Sequence, residues 1–270
     1  MNSKAVDLSQ VVQDAVDVGS LDQSAKDAAS RAVTVAQGVD TGISVNSLEG
    51  PRAFLVNILV DDSGSMQGTE ATVRRAISLL LQELSEALDQ SEEVFEVLVT
   101  ISFLNRGLVQ PYCRVDEVTD LSDANHNCDG GTPLFSRSNE VLGALLTKVS
   151  ELKASGRTAQ TFNVIISDGQ AGDGGEIIGG DGETRTSNVS NCSQLISGLT
   201  ATKQHIVCGV SIGSGADSTF RQMGIPEKWI LHPDRDSYAF ESAMRQVSRA
   251  SRAASQGAGA FRTTADGGFR

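Results

Sequence analysis

The stretch "LVDDSGSM", residues 59–66, ends a run of branched apolar residues with two carboxylates and then places two serines around a glycine. The run itself, "RAFLVNILV" (52–60), is nearly all apolar, which is typical of a strand buried on both faces. Turn-forming residues are common where a strand leads into a helix. Taken alone, the motif is therefore equally consistent with a simple turn and with a binding site.

The order of the predicted elements after residue 51 indicates an α/β fold. Further strands are predicted over 94–104, 161–168 and 205–213, and apolar residues at helical spacing predict helices between them. A strand over 108–118 is predicted at the sheet edge, because Pro111 cannot donate a ladder hydrogen bond. This alternation predicts a doubly wound, mostly parallel sheet flanked by helices.

Three regions are predicted along the chain. Residues 1–50 form an N-terminal helical arm, in which Ser20 is expected to cap a helix over 21–37. Residues 51–252 form the α/β domain, and residues 253–270 form a flexible Gly/Ala-rich tail. Because Phe261 and Phe269 are unusual in a solvated tail, we also hypothesise that it is a docking segment, ordered only when bound.

Composition limits the classes of partner. The 270-residue chain has a net charge of -12 and a pI of about 4.7, which argues against nucleic-acid binding and favours a cation or a basic partner. No export signal or membrane span is recognised, so a cytoplasmic location with four reduced cysteines is predicted. A disulfide between Cys113 and Cys128 stays open as an alternative.

Five oxygen-bearing side chains are predicted to meet at one edge of the sheet. Asp61 and Asp168 each end a buried strand, and ligands bind at the carboxyl ends of such strands. The loop "NHNCDGGTPLFS" (125–136) is expected to bring Thr132 to the same edge, beside Ser63 and Ser65. Oxygen donors alone suit a hard cation, Mg²⁺ or Mn²⁺. If both aspartates act through water, one coordination position stays free, and a carboxylate would suit it best.

The same residues resemble a known family motif. Asp61-x-Ser63-x-Ser65, a distant Thr132 in "GGTPL" and a distant Asp168 in "SDG" are similar to the metal-ion-dependent adhesion site of the von Willebrand factor A (VWA) domain family. The resemblance covers residues 52–250 and implies a Rossmann-like VWA fold. It also implies direct metal contact by the three hydroxyls, with both aspartates acting mostly through water. "DDSGSM" and "GGTPL" look most like bacterial cytoplasmic members, including the tellurite-resistance TerY-like group.

The resemblance implies a binding module and no enzymatic activity. Such a module uses Mg²⁺ to capture an acidic residue of a protein partner. Bacterial relatives serve as adaptors for AAA+ ATPases or as parts of stress-response and defence complexes, so an AAA+ ATPase or a second copy of this chain is a candidate partner. The arm and the acidic, Gly-rich loop over 169–187 lie outside the family pattern, and their roles are not predicted.

A Mg²⁺-dependent hydrolase or phosphatase is the alternative. Ser63 lacks the G-x-S-x-G context of a serine hydrolase, and no Walker lysine follows a Gly-rich loop. No His or Lys accompanies the five donors in sequence, whereas hydrolysis needs a general base. His126, His205 and His232 are interpreted as structural, although the position of His126 near the Gly130-Gly131 turn leaves contact with the site open.

Overall fold

The centre of the protein is a six-stranded sheet. The structure is a computed structural model, and it describes residues 11–13, 21–91, 95–122, 124–169, 171–178, 185–234 and 236–269. Its strands are β1 (Arg52–Val60), β2 (Glu96–Phe103), β3 (Gly107–Arg114), β4 (Thr158–Ser167), β7 (His205–Ser211) and β8 (Ile230–Leu231). They lie in the order β3-β2-β1-β4-β7-β8, and every pair is parallel except β2 with the edge strand β3. The predicted fold class is confirmed.

The helices pack in two groups. They are α1 (Gln23–Val35), α2 (Glu70–Asp89), α3 (Leu134–Ala154), α4 (Asn188–Ala201), α5 (Asp217–Gln222), α6 (Ser237–Ser255) and α7 (Ala258–Gly267). Helix α2 packs against α6, whereas α1, α3 and α4 pack together. From β1, one crossover connection leads to β2 on one side, and later connections lead to β4 and β7 on the other side. Because such connections are right-handed, the helices of the two directions lie on opposite faces of the sheet. Within the described residues, no helix is long and apolar enough to cross a membrane.

Helix α1 packs on the main domain through its small residues. A Cβ atom at Gly143 of α3 would lie 2.0 Å from the carbonyl oxygen of Ala32, so the two helices approach closely. The buried Arg31 donates from Nε to Asn191 Oδ1 of α4 at 2.6 Å. The predicted helix is confirmed, but its N-cap is Asp22, which accepts from Ala25 N. Ser20 lies outside the described residues.

The prediction of a flexible tail is wrong. Residues Ala258–Gly267 form α7, in which Phe261 is fully buried with its ring edge-on to Phe54 of β1 at 6.4 Å. Phe269 packs edge-on to Trp229 at 4.8 Å, and Phe269 N donates to Lys228 O at 3.0 Å. Burial of Phe261 and partial burial of Phe269 stabilise an ordered segment that its Gly/Ala content alone does not indicate. The tail thus packs on the α/β domain of its own chain.

The Gly-rich loop contains a short hairpin that the sequence analysis did not predict. Strands β5 (Glu176–Ile178) and β6 (Arg185–Ser187) pair in antiparallel fashion as a separate two-stranded sheet. Three-residue strands carry too little periodicity to be recognised in a sequence. The hairpin joins β4 to α4 and so lies close to the carboxyl edge of the main sheet.

All four cysteines are free. Cys113 lies on the edge strand β3, and Cys128 is buried in the loop that precedes α3. Burial raises the pKa of the Cys128 thiol to about 12, so it stays protonated. The Cys113–Cys128 disulfide alternative is not formed.

Candidate metal centre

Asp61 is held rigidly at the end of β1. Its backbone N–H continues the parallel ladder to Ile166 O at 2.8 Å. Its side chain is fully buried, and its oxygens accept from Ser63 N at 2.8 Å and from Ser167 Oγ at 2.5 Å. Burial raises the pKa of Asp61, while the bonds from Ser167 and Ser63 oppose that rise. A buried carboxylate in this position is stabilised by a nearby cation.

Two serines connect this loop to Asp168 at the end of β4. Ser63 Oγ lies 3.1 Å from Ser65 Oγ, and Ser65 Oγ donates to Asp168 Oδ1 at 2.7 Å. Asp168 is buried and Ser65 is exposed. The hydroxyl of Ser65 therefore lies between a buried carboxylate and solvent.

Thr132 reaches the same point from the loop before α3. A Cβ atom built on Gly169 would lie 3.8 Å from Ser65 Oγ and 3.9 Å from Thr132 Oγ1, so both hydroxyls border one small space. Gly64 N donates to Gly130 O at 3.2 Å and ties the two loops together. The structure thus brings all five predicted residues to the carboxyl edge of the sheet.

Asp62, to which the sequence analysis gave no role, fixes the loop that carries Thr132. Asp62 is buried, and its Oδ1 accepts from Asn105 N at 2.8 Å and from Asn105 Nδ2 at 2.9 Å. Asn105 Nδ2 also donates to Gly131 O at 2.9 Å. Gly130 has φ +98° and a Cβ there would lie 2.9 Å from Asn105 Oδ1, so this turn requires glycine. The paired glycines were the only sequence signal for this arrangement.

Asp173, in the Gly-rich loop, caps the helix that follows Thr132. Its two carboxylate oxygens accept from Phe135 N at 3.1 Å and from Ser136 N at 2.6 Å, in the first turn of α3. The neighbouring Gly172 N donates to Thr132 O at 3.0 Å. Residues 172 and 173 therefore hold the Thr132 loop in addition to the contacts that Asp62 makes through Asn105. No local pattern could have shown this, because the cap lies 38 residues from Phe135.

The three histidines have structural contacts. His126 is buried, stacks on Phe103 with centroids 4.7 Å apart, and has a pKa lowered to about 4 by burial. His205 Nδ1 lies 2.9 Å from Thr161 Oγ1 within the sheet. His232 Nδ1 lies 2.9 Å from Asp217 Oδ1. These contacts agree with the structural interpretation of all three.

The donor set fits a hard cation. In the described part of the chain, no group of three or more His, Cys, Asp or Glu side chains could hold a metal ion. The five converging residues instead offer two buried carboxylates and three hydroxyls, all of them oxygen donors. Mg²⁺ accepts such ligands and retains waters in the remaining positions. Softer metals prefer thiolate or imidazole, which the five residues do not offer.

Comparison with solved structures shows the fold. The pilus adhesin SpaC from Lactobacillus rhamnosus GG matches 76% of this chain at 11% sequence identity with a TM-score of 0.51. The mostly parallel six-stranded sheet with its helices matches the predicted Rossmann-like VWA fold. The protein has the VWA fold. The chain spans 31% of the length of that SpaC chain, so the likeness covers one part of the adhesin.

Other solved structures resemble this chain with lower TM-scores. A von Willebrand factor type A protein from Catenulispora acidiphila matches 75% of this chain and 43% of its own, at 15% identity and a TM-score of 0.43. Proximal thread matrix protein 1 from the mussel byssus, with a zinc-occupied MIDAS motif, matches 74% of this chain and 46% of its own, at 12% identity and a TM-score of 0.42. No family model matches the sequence, and the search of curated proteins finds no match.

Proposed function

We propose that this protein binds Mg²⁺ or Mn²⁺ and uses the ion to capture an acidic side chain of a protein partner. The metal ligands in this proposal are Asp61, Ser63, Ser65, Thr132 and Asp168. The observation that carries it is the chain of contacts from Ser63 Oγ to Ser65 Oγ to Asp168 Oδ1, at 3.1 and 2.7 Å, on an edge open to solvent.

Charge balance and exposure support a carboxylate as the captured group. Two carboxylates, Asp61 and Asp168, balance the charge of a divalent cation, and the hydroxyl donors add none. Both carboxylates are buried, whereas Ser65 is exposed and Thr132 is partly exposed. The free coordination position of a bound cation would therefore face solvent, on the same side as the hydroxyls of Ser65 and Thr132. An anionic oxygen is the ligand that a hard cation prefers there.

The contacts of the histidines favour binding over hydrolysis. Hydrolysis needs a general base within hydrogen-bond reach of an attacking water. His126 is stacked in the core, His205 is buried in the sheet beside Thr161, and His232 is beside Asp217. Each ring is thus engaged elsewhere. We infer a non-enzymatic module, in which the ion bridges two proteins.

The cellular setting that we propose rests mainly on the motif resemblance. "DDSGSM" and "GGTPL" support placing the chain with the cytoplasmic TerY-like VWA proteins of bacteria. In this proposal it is an adaptor or assembly component of a stress-response, defence or AAA+ ATPase-associated complex. Four free cysteines suit a reducing compartment.

A pull-down from lysate tests partner capture. The bait is wild-type protein, Ser65→Ala or the matched control Ser122→Ala, which removes a hydroxyl from an exposed serine outside the five residues. Each bait is used with Mg²⁺ and again with EDTA. The proposal expects a partner with wild type and Ser122→Ala in Mg²⁺ only, and none with Ser65→Ala. A partner that stays bound in EDTA would contradict it.

A further inference from the structure

A basic cleft lies at the sheet edge opposite to the candidate metal centre. It has a volume of about 490 Å³ and is bordered by the first residues of β1 and β4, the segment before β7, and helix α7. Among the described residues that line it, five are cations: Arg52, Lys153, Arg157, Lys203 and Arg262. None of these described lining residues is an Asp or a Glu.

This concentration of positive charge runs against the balance of the whole chain. The protein carries a net charge of -12, with 22 Lys and Arg against 34 Asp and Glu. The positive side chains around the cleft repel each other. A cleft lined by charges of one sign also concentrates the electrostatic field in its interior. An anion inside the cleft would relieve this repulsion.

Two of the guanidinium groups are not neutralised by a carboxylate within the described residues. Arg157 donates from Nε to Gly50 O at 3.0 Å, from Nη1 to Ser155 Oγ at 2.9 Å and from Nη2 to Leu48 O, all of them neutral acceptors that leave its charge unpaired. Arg262 is exposed on α7 and forms no ion pair with any described residue. Lys203, at the rim, pairs with Asp266 at 2.8 Å. Positive charge therefore remains available for a ligand.

One buried polar atom in the wall of the cleft has no hydrogen-bond partner in the part of the chain that the structure describes. Gln160 of β4 is nine-tenths buried and lines the cleft. Its Oε1 is buried and has no hydrogen-bond donor among the described residues. A small rotation of the Gln160 amide would allow Oε1 to accept from a hydroxyl or amino group of a bound molecule, because no hydrogen bond from a described residue fixes this oxygen.

We propose that this cleft binds a phosphorylated small molecule of nucleotide size. Arginine guanidinium groups match phosphate oxygens in paired hydrogen bonds, and three of the five cations are arginines. The volume lies within the usual range for small-molecule sites, about 300–1,000 Å³. The phosphate lies among Arg157, Arg262 and Lys153, and the Gln160 amide contacts the rest of the ligand.

The cleft is separate from the candidate metal centre. Strand β4 begins at Thr158, which lines the cleft, and ends at Ser167, next to Asp168. Ten residues at about 3.3 Å each put the two sites roughly 30 Å apart. The proposal therefore does not depend on metal binding, and it is tested in EDTA.

Isothermal titration calorimetry tests the proposal on the full chain in 1 mM EDTA, with AMP, adenosine, inorganic phosphate and hexaglutamate as probes. The test variant is Arg262→Glu. The matched control is Arg249→Glu, which reverses the charge of an exposed arginine on α6 outside the cleft. Circular dichroism establishes that both variants are folded, and Arg262→Gln replaces the test variant if Arg262→Glu is not.

The proposal expects AMP to bind at one site per chain, with adenosine at least tenfold weaker. Arg262→Glu weakens AMP binding at least tenfold, and Arg249→Glu changes it less than twofold. Equal weakening by both variants would show a diffuse charge effect and overturn the proposal. Tighter binding of hexaglutamate than of AMP, or no binding of AMP and phosphate at millimolar concentration, would also overturn it.

Discussion

Ser65 Oγ donates a hydrogen bond to Asp168 Oδ1 over 2.7 Å, although 103 residues separate the two in sequence. Parallel pairing of β1 with β4, in which Val60 is opposite Ile166, brings their strand ends together. This contact joins the D-x-S-x-S loop to the last aspartate of the motif and so connects the two halves of the candidate site.

Divalent metal should stabilise the fold through this contact. At a Mg²⁺ concentration 100 times its Kd, a single site raises the free energy of unfolding by about 2.7 kcal/mol, because only the folded state binds. We expect this gain in wild type and in Ser122→Ala, and its loss in Ser65→Ala. Urea unfolding with and without Mg²⁺ measures it. An equal gain in Ser65→Ala would mean that Mg²⁺ binds elsewhere.

Asp173→Asn should loosen the Thr132 loop. An amide is a poorer acceptor for Phe135 N and Ser136 N, and loss of a helix cap costs about 1 kcal/mol. We expect that loss of unfolding free energy together with weaker Mn²⁺ binding. The control is Asp129→Asn, which removes the same charge from an exposed position near the site without removing a cap. If both variants weaken Mn²⁺ binding equally, long-range charge explains the effect and the cap does not.

The strands of the main sheet and the position of the candidate site could be predicted from the sequence because their signals are local. A buried parallel strand is an unbroken apolar run, and Asp61 and Asp168 each mark the end of one. Parallel topology then places both aspartates at one edge without further information. Only the packing of the Thr132 loop required an assumption, which the Gly64–Gly130 hydrogen bond supports.

The tail and the Gly-rich loop could not be predicted because their partners are remote in sequence. Phe261 is buried against Phe54, over 200 positions earlier, and nothing near Phe261 indicates that contact. Asp173 likewise caps a helix that begins 39 residues before it. The composition of a segment indicates only its conformation in isolation. In the tail and in the Gly-rich loop, contacts with remote parts of the chain determine the structure.

Phe261→Ala tests the order of the tail. Truncation of a fully buried phenylalanine costs about 3–5 kcal/mol, since apolar contacts are lost and a cavity remains. The control is Tyr238→Ala, at 81% exposure, which should change stability by less than about 0.5 kcal/mol. Urea unfolding measures both. A Phe261→Ala variant as stable as wild type would restore the prediction of a flexible tail.

His205 should make the fold sensitive to acid. Burial first, and then the nearby charge of Lys153, lower the pKa of His205 to about 3, against about 6.5 in an unfolded chain. Between those values the unfolded state binds a proton that the folded state does not, so stability falls as pH falls. The slope from this one group is about 1.4 kcal/mol per pH unit.

His205→Asn removes this group and keeps a polar atom near Thr161 Oγ1. We expect the fall in unfolding free energy from pH 6 to pH 4 to become shallower by about that slope. Buried His126, with a pKa of about 4, should maintain a remaining slope of similar size. Identical slopes in wild type and His205→Asn would show that His205 does not titrate in this way.

A crystal structure of the protein soaked in Mn²⁺ tests the metal site most directly, because manganese is located by its anomalous scattering. The result expected is one strong peak among Ser63, Ser65 and Thr132, at about 2.0–2.2 Å from their hydroxyl oxygens. Asp61 and Asp168 should lie beside it, in direct contact or through one water. A peak at another place, or no peak at millimolar Mn²⁺, would contradict the claim that these five residues form one metal centre.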